Sequence, residues 1–144
     1  MLFTLFASKN KKLITKWSKD HQQMVVLGHK VIAEYSKNNP KKAKKTLKIL
    51  ATLSIDHLMS EDIEIYKMLR QDKKLDPKTE KLANEFTKSF TGVKTKLMGF
   101  LSTYTRDEAV LDEEFFRTFN QLFGILAQRI NFEERNLYTQ LKNN

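Results

Sequence analysis

Five side chains in this sequence are of the kinds that hold metal ions or form buried ion pairs. His57 and Glu61 lie four residues apart, and Arg129 and Glu133 repeat that interval. Residues four apart stack on one face of an α-helix. His21 stands apart from both pairs, yet like them it sits in a stripe whose other members are apolar. Buried charge is costly unless it is paired or bound to metal, so these groups call for a shared explanation. Two are open at this point. In one, His21, His57, Glu61 and Glu133 converge on a metal ion, since imidazole and carboxylate suit iron, manganese or zinc. In the other, Arg129 bridges Glu61 and Glu133, and one protonated histidine supplies the second positive charge. Charge arithmetic permits both.

The elements that must position these groups are helices. Lys11 to Ser36 carries Trp17, His21, Met24, Val25, Gly28, Ile32 and Tyr35 on one stripe. Lys37-Asn38-Asn39-Pro40 is a turn, with Asn39 able to cap and Pro40 suited to a first helical position. The second helix runs to about Arg70, with Leu47, Leu50, Ser54, His57, Leu58, Glu61, Ile65 and Met68 inward. Gln71 to Leu75 is a polar connection, and Asp76-Pro77 is a clear helix start. The third helix carries Leu82, Phe86, Phe90, Val93, Leu97, Phe100 and Tyr104, and offers no histidine. Asp112 caps a fourth helix reaching about Leu141, with Phe115, Phe119, Leu122, Leu126, Arg129, Glu133 and Leu137 inward. Short connections between long amphipathic helices predict an all-α fold, an up-down-up-down antiparallel four-helix bundle. Residues 1–144 are read as one such domain, with residues 1–10 as an N-terminal extension.

Composition agrees with that class. Of 144 residues only four are glycine and two proline, too little punctuation for a strand-rich fold. The absence of cysteine excludes disulfide scaffolds, thiolate metal sites and a cysteine nucleophile. The apolar run from Met1 to Ala7 is too short for a membrane span, and basic residues follow rather than precede it, so a cytoplasmic location is expected. The net charge of +9 is uneven: residues 1–48 hold twelve lysines against Asp20 and Glu34, a net +10. One end of the domain is therefore expected to be strongly basic. That favours a solvated lysine face, or an acidic protein or anionic surface as partner. Arginine is scarce and no aromatics interleave the lysines, so nucleic acid is disfavoured.

Trp17-x-x-Asp20-His21, then His57-Leu-Met-Ser-Glu61 with Ile65-Tyr66, then Arg129-Ile130-x-x-Glu133-Glu134-x-x-Leu137-Tyr138 together resemble the hemerythrin-like, or HHE cation-binding, family. The resemblance covers nearly the whole chain in the family's helix order. It implies a non-haem iron site in the bundle centre, with His21, His57 and Glu61 as ligands and Glu61 and Glu133 as bridging carboxylates. It implies a sensing, storage or redox-response role. The second iron's histidines are missing here: Arg129 replaces one, and Ser89, Val93, Lys94, Lys96 and Leu97 occupy the region of the third helix where others would stand. Either a single ion remains with Arg129 as surrogate for the second, or metal has been lost. Reversible oxygen carriage, which draws one electron from each of two irons, is not expected. Tyr66 and Tyr138 trail the two carboxylate segments and could donate hydrogen bonds to the site or pack as core residues. His29 reads as a boundary residue. No nucleophile–base pair, phosphate loop or hydrolytic dyad is visible, so an enzyme is not expected. A metal-free interaction module resembling bacterial anti-sigma regulators, with the basic 1–48 region as its binding surface, is the alternative.

Overall fold

A computed structural model describes the backbone of residues 2–70 and 76–142, and the side chains of residues 10–67, 76–88 and 92–141. The polar connection expected at 71–75 and the inward placement expected for Met68 and Phe90 fall outside the described residues. The fold is all-α: α1 (Leu2–Ser36), α2 (Pro40–Arg70), α3 (Pro77–Tyr104) and α4 (Glu113–Phe132), the last continuing through a π turn (Glu133–Leu137) into a short α5 (Tyr138–Lys142). No strand occurs among the described residues.

Helix starts follow the local chemistry. Asp76 accepts a hydrogen bond from the Thr79 amide at 2.7 Å, with Pro77 behind it. Asp112 does the same for Phe115 at 2.9 Å. Between α1 and α2, Asn38 takes the left-handed conformation, φ 60°, that a reversal needs and that asparagine tolerates. The Asn39 carbonyl then accepts the first bond of α2, from Ala43. Helix α1 begins at Leu2 rather than Lys11, so the expected extension is helical. Nothing between Met1 and Leu27 breaks a helix: the stretch has neither glycine nor proline.

Two apolar clusters form the interior. The larger gathers Met24, Val31, Leu47, Leu50, Leu97, Phe100, Phe115, Phe119, Leu122 and Leu126. The smaller gathers Ile14, Trp17, Ile65, Ala83, Phe86, Leu137, Tyr138 and Leu141. Close approach of α1 and α4 depends on Gly28, where an added Cβ would lie 2.2 Å from the Phe123 ring.

The basic N-terminal stretch is divided by the fold. At 1.5 Å per residue α1 is about 50 Å long, so Lys11, Lys12, Lys16 and Lys19 lie near one end and Lys30 to Lys48 near the other. Each group meets an acid, and in the first Lys16 pairs with Asp20 at 3.2 Å. Lys48 pairs with Asp107 at 2.7 Å, and Lys44 donates to the carbonyls of Arg106, Asp107 and Ala109 in the α3–α4 loop. The single basic end expected from sequence is thus two separated patches, each of them partly neutralised. Among the described residues no helix is long and apolar enough to cross a membrane.

Candidate metal centre

Between the two apolar clusters lies the polar group anticipated from spacing. His21, His57, Glu61 and Glu133 are all buried, and each offers a donor atom within 4.8 Å of the others'. α1 contributes His21 one turn beyond the fully buried Trp17. α2 contributes His57 and Glu61 from adjacent turns, their Nε2 and Oε2 atoms 3.4 Å apart. Glu133 arrives from the end of α4, its Oε1 3.6 Å from His21 Nε2.

Both imidazoles present the same edge to the centre: His21 Nε2 and His57 Nε2 lie 3.0 Å apart. Their other nitrogens face carboxylates. His57 Nδ1 is 3.1 Å from Asp20 Oδ2, and His21 Nδ1, which makes no hydrogen bond, has Glu134 Oε1 at 3.8 Å. Metal-bound histidines characteristically coordinate through one nitrogen while a carboxylate fixes the other. Asp20 and Glu134 are the neighbours of the cluster that site spacing alone missed, Asp20 within hydrogen-bond distance of His57 and Glu134 only near His21. Their signal was adjacency to His21 and Glu133, and Asp20's rarity in a lysine-rich stretch.

Tyr138 completes the cluster. Its hydroxyl donates to Glu61, lies 3.4 Å from Glu133 Oε2 and 3.4 Å from His21 Nε2, and its ring stacks on that of His21. The π turn is what allows this. In a regular α-helix residues five apart are rotated by about 140° from one another. At Glu133–Leu137 the Tyr138 amide instead donates to the Glu133 carbonyl five residues back, bringing the two side chains onto one face. Tyr66 follows Glu61 by the same five residues, but within regular α2. It is 56% exposed, whereas Tyr138 is 2% exposed. Tyr66 therefore lies away from the candidate site, on the wall of an open cleft of about 850 Å³ between α2 and α3.

Arg129 sits at the margin. Its guanidinium lies over the Phe86 ring, 4.3 Å from the centroid, and donates to the Phe86 carbonyl at 3.1 Å. Its charge still reaches the carboxylates and favours their ionised forms. His29 is exposed, edge-on to Phe123, as a boundary residue should be.

Burial sets opposing protonation states within the cluster. Burial, aided by the charge of His57, lowers His21 to about 4. Burial also opposes charge on His57, but hydrogen bonds and attraction from Glu61 and Asp20 outweigh it and raise its pKa. Burial and the neighbouring Glu61 push Glu133 well above the usual carboxylate range. Glu61 goes the other way, to about 2, because hydrogen bonds from Glu133, His57 and Tyr138 overcome its burial. Burial and the two carboxylates push the Tyr138 phenol up. Without metal, the cluster is therefore an ionised Glu61 surrounded by hydrogen-bonding groups, with the buried His21 Nδ1 left without a hydrogen bond. The chain matches no protein-family model, no curated protein and no solved structure.

Proposed function

We propose that this chain is a non-haem metal-binding domain resembling the hemerythrin-like family, holding a single ion between His21, His57, Glu61 and Glu133. The carrying observation is the pair of buried imidazoles aimed Nε2 to Nε2 with Glu61 and Glu133 beside them, His57 being held at Nδ1 by Asp20. Iron is the preferred ion, with manganese and zinc as competitors for the same donor set. One ion fits better than two. Donors bound at about 2.0–2.2 Å lie no more than about 4.4 Å apart, close to the 4.8 Å span of this set. A second ion would need further donors, and where the family places a histidine this chain has Arg129.

The helices are proposed to run as an up-down-up-down antiparallel bundle. Paired contacts support this: along α1, Trp17 meets Ser60 and His21 meets His57, while Asn10 meets Leu141 and Tyr35 meets Phe116. Such an interior would screen a redox-active ion from bulk solvent and suits sensing or storage.

Metal analysis of protein purified without chelator tests the reading. About one ion per chain is expected, lost in both His57→Ala and Glu61→Ala, with a chelator lowering the wild-type melting temperature. Wild-type protein that takes up no iron, manganese or zinc, and whose stability ignores chelator, would reduce the cluster to a buried hydrogen-bond network.

A further inference from the structure

We propose that Tyr138 is itself a ligand: its phenol oxygen joins His21, His57, Glu61 and Glu133 as a fifth donor to the ion. This rests on the metal-binding reading above and adds to it.

The argument turns on which atoms Tyr138 meets. A group that steadies a ligand from behind touches it on the side away from the centre, as Asp20 touches His57 through Nδ1. Tyr138 reaches His21 through Nε2, the nitrogen that faces inward, at 3.4 Å. The same oxygen is hydrogen-bonded to Glu61 and lies 3.4 Å from Glu133 Oε2, so it meets donors contributed by α1, α2 and the π turn together. That places it among the donor atoms. Its direction is fixed by packing: the ring is stacked on His21 at 5.7 Å with a 6° interplanar angle, and the fully buried Trp17 lies against it at 5.6 Å. The backbone supplies an independent sign. The π turn puts Glu133 and Tyr138 on one face, and π turns within α-helices frequently mark functional sites.

Phenolate is an anionic oxygen donor that proteins do use toward iron. On coordination the phenol O–H bond breaks, a metal–oxygen bond forms and the proton passes to buffer; no electron is transferred in that step.

Iron is the probe. Full-length metal-free protein is loaded anaerobically with ferrous iron, oxidised in air and desalted. The expected product shows a visible phenolate-to-iron charge-transfer band, with tyrosine ring modes enhanced in resonance Raman. Both should vanish in Tyr138→Phe, which removes one oxygen and keeps the ring, while iron per chain is retained. Tyr66→Phe, on the exposed face, should leave both in place. Iron bound without the band, or a band that survives in Tyr138→Phe, would overturn the proposal and leave the metal-binding reading standing. If manganese or zinc binds and iron does not, the ultraviolet difference signal of tyrosine ionisation on adding that ion decides in the same way. Failure of all three ions to bind would overturn both readings. Should Tyr138→Phe lose its helical circular dichroism, the wild-type Raman spectrum decides alone: tyrosine modes support the assignment and their absence sinks it.

Discussion

At the scale of single residues, the candidate centre is two acids made unequal by their surroundings. Glu61 is ionised and well supplied with donors, whereas Glu133 is held protonated by burial and by its neighbour. A carboxyl raised in the folded state contributes stability that is complete below its unfolded value, near 4.5, and fades as pH rises towards its folded value. Glu133→Gln keeps the shape without the ionisation. In the metal-free protein its stability advantage over wild type should therefore be negligible below pH 4.5 and grow with pH, by up to about 1.4 kcal/mol per unit. Denaturant midpoints measured across pH check this; an advantage that shrinks with rising pH would contradict it. The same substitution should weaken metal binding by about tenfold or more, a conflict between stability and function expected where a site is built from buried charge. Metal must also displace the protons on Glu133 and on the imidazole pair. With the proton of the Tyr138 phenol added, calorimetry in buffers of different ionisation enthalpy should find about three protons released per ion at a pH where Glu133 and His57 are protonated, and one fewer in Tyr138→Phe.

Secondary-structure elements explain why one tyrosine reaches the centre and its counterpart does not. The π turn amounts to one residue too many in a helix, and Asn136 is an exposed member of it. Deleting Asn136 would leave Glu133 four residues from the tyrosine and three from the leucine that follow, which is ordinary α-helical spacing onto one face. The deletion variant should keep its helical content, bind metal and melt within a few degrees of wild type. Deleting Gln128, an exposed residue of regular α4, should instead rotate the site residues out of register and abolish binding. Gly28 makes a second element-level point, because alanine helps a helix but here meets the Phe123 ring. Gly28→Ala should cost about 1–3 kcal/mol from overpacking, less the roughly 1 kcal/mol of improved helix propensity. In a Phe123→Ala background the clash is gone, and the same change should become stabilising. Chemical denaturation of the four proteins reads the change of sign directly.

On the scale of the whole molecule, the donors come from α1, α2 and the end of α4, and none of the quartet comes from α3. Metal binding should raise global stability by about 2.7 kcal/mol at a hundredfold excess over the dissociation constant. The accompanying gain in hydrogen-exchange protection should concentrate in α1 and α2 around His21 and His57 and in the π turn, with α3 changing least. Protection centred on α3 would place the ion elsewhere. Charge is likewise organised on this scale. Lys44 and Lys48 are engaged by the α3–α4 loop and Lys16 by Asp20, and the lysines near the start of α1 form a separate group.

Much of this was legible in the residues themselves. Scarce glycine and proline, apolar stripes at helical period and the Asp76 and Asp112 caps sufficed for four helices, because those signals are local. His57 and Glu61 were placed together for the same reason, since spacing along one helix is a fixed angle. Whether His21 and Glu133 met them depended on contacts between helices, which the sequence only suggested. The tyrosines show where local reasoning stops. Tyr66 and Tyr138 follow their glutamates at the same interval, and nothing in that interval separates the exposed residue from the buried one. The difference lies in one backbone hydrogen bond, Tyr138 to Glu133, at a turn where packing Leu137, Tyr138 and Leu141 against α1 coincides with a shift from four-residue to five-residue pairing. That outcome belongs to the tertiary structure, because only the assembled interior supplies Trp17 and His21 as the surfaces against which the phenol is held.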